Sequence, residues 1–330
     1  MDDILKTPNG ANFLLADLHI HTPKDPRFRE SLNNKYNLSK VEEKKRFIRD
    51  FFSFAMNERG LSILAITEHN DVSYLNLYKA VKKEKPFRKL ILFPGVEVSS
   101  REGIHLLVLF NPDEQVETID GFLSEIGLTP GHRVRGKTVL PSDRSFDEIL
   151  NLLGTKYVTK TNEVEIPRAL AIAAHLDQDN GLGKQKNAKL FYQNPYLLAV
   201  QITKPYSELR DGYKNILSGK YQEYGFKAVA VVESSDCRSL EEVGKYASYL
   251  KMSSPTIEGL KQAFLDTESR LRHKEEKEEH SYSRILAAKW EGGFVDGLSI
   301  HFNNNINCLI GGKGTGKSTV IETLRYAFGL

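Results

Sequence analysis

Histidines and carboxylates recur along this chain at the ends of apolar runs. The first place is Asp17-Leu18-His19-Ile20-His21-Thr22, which follows the apolar run 13–16. In an extended chain, side chains two residues apart share a face. His19 and His21 therefore project together and can reach one metal ion, while Leu18 and Ile20 pack on the other face. Later runs end in Glu68-His69, in Gly95-Val96-Glu97, in His175 with Asp177, and in Asp236-Cys237-Arg238, and a further run carries His105 near its start. Each has an ordinary reading when taken alone. His69 or His105 could be satisfied buried histidines, Glu97 a surface carboxylate, and Asp236 a cap for a helix beginning near Ser239. As a set they form a cysteine-free group of imidazoles and carboxylates, which suits Zn, Mn or Fe in a reactive site better than a purely structural zinc. His132, His273, His280 and His301 have no such setting.

The elements that must position these residues alternate. Strands are expected at 13–20, 61–67, 90–97, 104–110, 169–175, 197–202 and 227–232. Helices are expected at 41–57, 74–83, 115–126, 145–153, 239–250 and 256–270, and residues 23–38 read as a loop. Strand–helix alternation predicts an α/β fold with a parallel sheet, open or closed into a barrel, and such sheets carry function at the carboxyl ends of their strands. The 330 residues suffice for a sizeable core, with 40% hydrophobic content. Lys and Arg number 46 against 43 acidic residues, a balance that neither demands nor excludes a nucleic-acid partner. Two cysteines, Cys237 and Cys308, fit a reducing cytosol. With no signal-like start and no apolar run near about 18 residues, a soluble cytoplasmic protein without membrane contact is expected.

The ordered set resembles the PHP (polymerase and histidinol phosphatase) family of phosphoesterases: His19-x-His21, Glu68-His69, Gly95-x-Glu97, His105, His175, and Asp236 in a closing Asp-x-His. The resemblance covers roughly residues 12–272. It implies a distorted seven-stranded β/α barrel with two or three divalent metal ions at its mouth. Carried over by motif, His19, His21, Glu97 and Asp236 would hold the first ion. Glu97, His105 and His175 would hold the second. His69, with Glu68, would hold the third together with the last His of Asp-x-His. That last position is Arg238 here. Arginine keeps its proton and cannot be a ligand. Arg238 is therefore expected to fill the third site and clamp a substrate phosphate, with an inactivated scaffold as the alternative. The basic stretch 132–138 could line an anion path or be a solvated loop.

A charged run at 273–282 reads as a linker. Beyond it, an expected strand at 306–310 leads into Gly311, Gly312, Lys313, Gly314, Thr315, Gly316, Lys317, Ser318 and Thr319, then a helix. This is a phosphate-binding loop for ATP, with Lys317 reaching the β- and γ-phosphates and Ser318 on Mg²⁺. Its surroundings resemble SMC-like and ABC-type ATPase heads, and the whole arrangement resembles the TrlF-type PHP–ATPase proteins. The expected domains are 1–272 (phosphoesterase), 273–282 (linker) and 283–330 (the front of an ATPase domain). The resemblance implies a metal-dependent nuclease acting on nucleic acid, DNA above RNA, governed by the ATPase, homo-oligomeric through its heads, with a role in defence against foreign DNA. The alternatives are a phosphatase for nucleotide or sugar phosphates, and a silent PHP domain that binds partners for the ATPase.

Overall fold

The structure is a computed structural model. It describes the chain apart from residues 1–2, 136–137, 156–157, 162–163, 168, 277–282 and 330, and within 156–168 it describes backbone only. Most of the expected linker and Lys137 of the basic stretch therefore lie outside the described residues. The chain divides into two units, Phe13–Lys277 and the smaller pair Met1–Asn12 with Glu278–Leu330.

The larger unit is built on a nine-stranded sheet. Its strands are β1 Asn12–Ile20, β2 Ile63–His69, β3 Ile91–Ser99, β4 His105–Phe110, β5 Ala169–Ala173, β6 Ala199–Ile202, β7 Ala230–Glu233, β8 Ser248–Met252 and β9 Leu271–His273. They lie in the order β7-β6-β5-β4-β3-β2-β1-β8-β9. The segment after β7 returns to β1 through a parallel bridge between Ile20 and Cys237, which nearly closes β1–β7 into a barrel. Buried Asp17 reinforces the seam. Its carboxylate accepts from the Ser235 N–H (3.0 Å), the Ser235 hydroxyl and the Gly244 N–H (2.9 Å).

Period-two alternation divides the apolar side chains into two cores. Ala16, Leu18, Ile63, Ala65, Phe93, Leu107, Leu109, Ile172, Ala199 and Val232 form the inner cluster. Leu15, Leu64, Leu92, Val108 and Val200 join the outer one, against the helices. Helix α2 (Val41–Asn57) buries Phe47, Ile48, Phe51, Phe52 and Ala55, spaced three and four apart as a helical stripe requires. Each such aromatic is worth about 1.5–3 kcal/mol on burial. Phe51 meets Tyr78 of α3 (Leu75–Lys82) edge-on at 5.7 Å. Helices α4 (Val116–Glu125) and α5 (Phe146–Thr155) extend the outer layer. Helix α6 (Ile257–Leu265) instead sends Ile257, Leu260, Ala263 and Phe264 into the inner cluster. It therefore plugs the barrel end opposite the histidines, and the Ile257 N–H donates to Asn111 Oδ1 just past β4 (2.8 Å).

Four expectations are corrected. The sheet is not all parallel: β4 runs antiparallel to both β3 and β5. Residues 239–250 form no helix. Gly244 takes φ +64°, and β8 follows with alternating burial, a period of two that overrides the helical reading. Residues 23–38 contain a six-residue helix, Pro26–Ser31, capped by Asp25, whose carboxylate accepts from the Arg27 N–H (2.7 Å). Residues 306–310 form no strand. Ile306 is 89% and Ile310 94% exposed, and no strand among the described residues pairs with them.

In the smaller unit, β10 (Ala287–Lys289) and β11 (Ser299–His301) pair antiparallel, and α7 (Lys317–Ala327) is tied to the hairpin by Trp290 Nε1 donating to Thr323 Oγ1 (2.7 Å). Among the described residues, no helix is long and apolar enough to cross a membrane.

Candidate metal centre

Three backbone devices aim the ionisable side chains into the barrel mouth. The first is a bulge in β1. Ala16 and Leu18 point inward, so unbroken alternation would turn His19 and His21 outward. The register shifts between Asp17 and Ile20, sending Ile20 to the outer cluster and both histidines to the mouth. The second is the reversal of β4. Its first residue, His105, thereby lies at the same end as the carboxyl ends of β2 and β3, opposite Ser99. The third is left-handed backbone. His175 (φ +52°) and Asp236 (φ +50°) leave their strands in a conformation that costs a non-glycine residue about 1–3 kcal/mol. His69 and Glu97 need no device, since they continue the inward parity of Ile63-Ala65-Thr67 and Phe93-Gly95 and face each other in register.

The side chains converge on Glu97, which is fully buried. Its Oε2 lies 3.1 Å from His19 Nε2, 3.4 Å from His21 Nε2 and 3.2 Å from His69 Nδ1. Its Oε1 lies 2.6 Å from His105 Nδ1 and 3.1 Å from His175 Nε2. One carboxylate thus offers an oxygen to each of two imidazole groups. Asp236 Oδ1 completes the first group, 3.0 Å from His21 Nε2 and 3.5 Å from His19 Nε2. The sets His19–His21–Asp236, His19–Glu97–His175, His21–His69–Glu97 and His21–Asp25–Glu68 each present donor atoms within 4.8 Å of one another, close enough to share an ion. Fully buried His19 Nδ1 and His175 Nδ1 have no hydrogen-bond partner. Orphaned buried ring nitrogens beside clustered carboxylates fit divalent metal binding.

The expected third set is split. Glu68 turns to the far side of His21, 3.3 Å from its Nδ1, and accepts from the Thr22 N–H (2.9 Å) and hydroxyl (2.7 Å). It orients the His21 ring and meets His69 only at the backbone, where its Oε1 accepts the His69 N–H (3.0 Å). Arg238 does enter the cluster. Its Nη1 donates to Asp236 Oδ1 (2.5 Å) and to the Asp236 carbonyl (3.0 Å), and its Nε stands 3.4 Å from Asp25 Oδ2. Cys237 points the other way, into the outer core.

Protonation follows from these contacts. Burial disfavours charge on His21, but its hydrogen bonds to Asp236 and Glu68 outweigh burial and raise its pKa to about 10. Burial likewise opposes ionisation of Glu68, yet His21 and Thr22 bring it down to about 2. His69 is lowered to about 4, chiefly by burial. Burial also opposes charge on Glu97 and Asp236, but the surrounding histidines hold both below the usual carboxylate range.

Three supporting residues escape a reading of motifs. Gln201, fully buried, accepts from the His175 N–H (2.9 Å) and donates to the Ser234 carbonyl (3.1 Å). Asn180 Nδ2 lies 3.1 Å from His105 Nδ1. Asp25 faces Arg238. Only Gln201 left a signal, as a polar residue inside an apolar run.

In the smaller unit, Gly311, Gly312, Lys313, Gly314, Thr315 and Gly316 form the turn before α7, with Gly314 and Gly316 left-handed (φ +81° and +87°). Lys317, Ser318 and Thr319 open the helix. Lys317 Nζ curls back onto the carbonyls of Gly311 (2.7 Å) and Gly312 (2.5 Å).

No family model and no curated protein matches this chain. Its fold is similar to that of the lesion-specific endonuclease PfuEndoQ from Pyrococcus furiosus, with TM-score 0.52 and 12% identity over 79% of this chain and 58% of that one. It is also similar to Endonuclease Q in complex with a 27-mer duplex bearing an abasic lesion at the active site, with TM-score 0.50 and 12% identity over 77% of this chain and 56% of that one. The match thus spans little more than half the length of those endonucleases. At this identity the likeness is one of fold, the distorted α/β barrel that the PHP resemblance implies.

Proposed function

We propose that the larger unit is a PHP-type metal-dependent phosphoesterase that hydrolyses phosphodiesters of nucleic acid, DNA in preference to RNA. The observation that carries this reading is Glu97, a buried carboxylate offering separate oxygens to His19–His21 and to His105–His175, with Asp236 beside the first pair. His19, His21, Glu97 and Asp236 would hold one divalent ion, Zn, Mn or Fe. Glu97, His105 and His175 would hold a second, while His69 stands with His21 at the Oε2 side of Glu97. Bound there, such ions supply hydroxide at neutral pH and neutralise phosphoryl charge. The protein's own part is orientation and charge. Glu68 fixes the ring of His21, Gln201 fixes the backbone of His175, and Arg238 holds a permanent positive charge at the mouth where a phosphate oxygen would lie. The fold shared with endonucleases supports nucleic acid over a small phosphate as substrate.

Metal analysis of the purified protein, followed by incubation with Mn²⁺ and either oligonucleotides, plasmid or nucleoside monophosphates, tests this reading. Two ions per chain and oligonucleotide cleavage lost in His19→Ala and Asp236→Ala are expected. Cleavage that survives both variants would overturn it. Arg238 also favours a second reading, because its 2.5 Å pairing with Asp236 ties up a ligand oxygen. Under that reading the barrel is a silent binding module, and the metal analysis finds no ion.

For the smaller unit we propose that Gly311–Thr319 binds the phosphates of ATP with Mg²⁺, with Lys317 swinging from the loop carbonyls to the nucleotide. On the SMC-like resemblance this module governs the nuclease, pairs heads into homo-oligomers, and serves defence against foreign DNA in the cytoplasm. Titration with a fluorescent ATP analogue, lost in Lys317→Ala, tests the binding step.

A further inference from the structure

Beside the metal cluster, α1 (Pro26–Ser31), the loop after it, α2 and the start of α3 enclose a cleft of about 790 Å³. Lys24, Arg29 and Lys44 line it. Their only carboxylate partner among the described ion pairs is Asp71, 3.3 Å from Lys24 Nζ. Arg29 is held at its base by Nε donating to the Pro23 carbonyl (3.1 Å), which leaves the outer edge of the guanidinium for a ligand. Lys44 Nζ sits over the Tyr74 ring, 5.2 Å from its centre. Three cations around one concavity, with Asp71 paired to Lys24 and Asp50 held by the hydroxyl of the lining Tyr36 (2.6 Å), leave positive charge in excess and make an anion site.

Its position says which anion. Lys24 is three residues beyond His21, and its partner Asp71 is two residues beyond His69. Three residues of chain reach at most about 11 Å, the span of about three stacked nucleotides. A lone phosphate bound at the metal cluster would leave this cleft unused, whereas a strand with its scissile phosphate at the cluster would carry its neighbouring phosphates into it.

We propose that the Lys24–Arg29–Lys44 cleft is the subsite for the backbone phosphates flanking the scissile one, so that the ligand is a nucleic-acid strand several nucleotides long. This rests on the nuclease reading of the cluster, but it is read by binding and not by cleavage. Fluorescence anisotropy of the full chain with a labelled single-stranded oligonucleotide, in buffer without divalent ions, measures affinity against salt. Removing two phosphate contacts in Arg29→Gln/Lys44→Gln should flatten the slope of log K against log salt by about 1.4 and weaken binding about 25-fold at 0.1 M salt. Lys186→Gln/Lys220→Gln, which touches neither cleft nor cluster, serves as control. An unchanged slope in the cleft variant overturns the proposal, and so does an equal loss in the control. Full competition by inorganic phosphate or a nucleoside monophosphate at millimolar concentration also overturns it, in favour of a mononucleotide pocket. Thermal midpoint and bound metal, unchanged in the cleft variant, show that it is folded with its cluster intact. Failure of the nuclease reading would look different: oligonucleotide bound through the cleft but never cut.

Discussion

Gln201 offers the sharpest test of how the scaffold holds the site. His175 sits in left-handed backbone at φ +52°, and the Gln201 side chain accepts its N–H at 2.9 Å. The same amide donates to the Ser234 carbonyl at 3.1 Å, two residues before Asp236. Gln201→Leu preserves volume but strands one buried donor and one buried acceptor. Each unsatisfied group costs about 1–3 kcal/mol, and the added apolar contact returns part of that, leaving a loss of about 3 kcal/mol. For a unit of this size that corresponds to a fall in Tm of about 6–12 °C. The measurement is a thermal melt of chelator-treated protein, which separates the scaffold from any metal contribution. In a parallel titration, metal affinity should fall about 10–100-fold, as when a partner that orients a ligand is lost. A melt within about 1 °C of wild type together with unchanged metal affinity would refute the claim that Gln201 fixes His175.

Three further outcomes are expected. Chelation should lower Tm and abolish oligonucleotide cleavage, with Mn²⁺ restoring both; at a hundredfold excess over Kd, a bound ion stabilises by about 2.7 kcal/mol. Gly95→Ala should cost about 1–3 kcal/mol or more in urea unfolding, because its Cβ would stand 2.6 Å from the Val108 carbonyl oxygen, backbone that cannot give way; an unchanged midpoint would mean that Gly95 does not face the crowded barrel interior. Arg238→Gln should lower kcat/KM for a phosphodiester about 10–100-fold while the metal content holds, the signature of a lost phosphate clamp; a gain in bound metal without loss of activity would assign the guanidinium to blocking a ligand oxygen instead.

What could be read from residue order was whatever depends on local periodicity. Helix α2 and its buried stripe of Phe47, Ile48, Phe51, Phe52 and Ala55 follow from 3.6-residue spacing alone, and the structure has the same helix limits. Residues 239–250 misled because Leu240, Val243, Ala247 and Leu250 mimic a helical stripe, while tertiary pairing made 248–252 a strand beside β1. Strand direction carries no local signature. Ile104 to Phe110 is as apolar as the strands that flank it, β3 and β5, so nothing in it announces that β4 runs backwards.

That reversal is what lets His105 join the other candidate ligands from the start of its run. His105 stands at the start of its run, whereas the other candidate ligands stand at or beyond strand ends. In an all-parallel barrel a first residue would lie at the amino end, a strand length of about 17–20 Å from the others. Antiparallel β4 brings His105 to within 2.6 Å of Glu97, so the position of a single histidine already required one strand to turn around. His19 and His21 make the same point about phase. Two histidines on one face reach the mouth only because β1 slips its register between Asp17 and Ile20, and Asp17, bound to Ser235 and Gly244, fixes the segment where the slip occurs. The departures from regular α/β geometry are thus concentrated at the residues that would bind metal. An ideal barrel of this sequence would have its core but not its site.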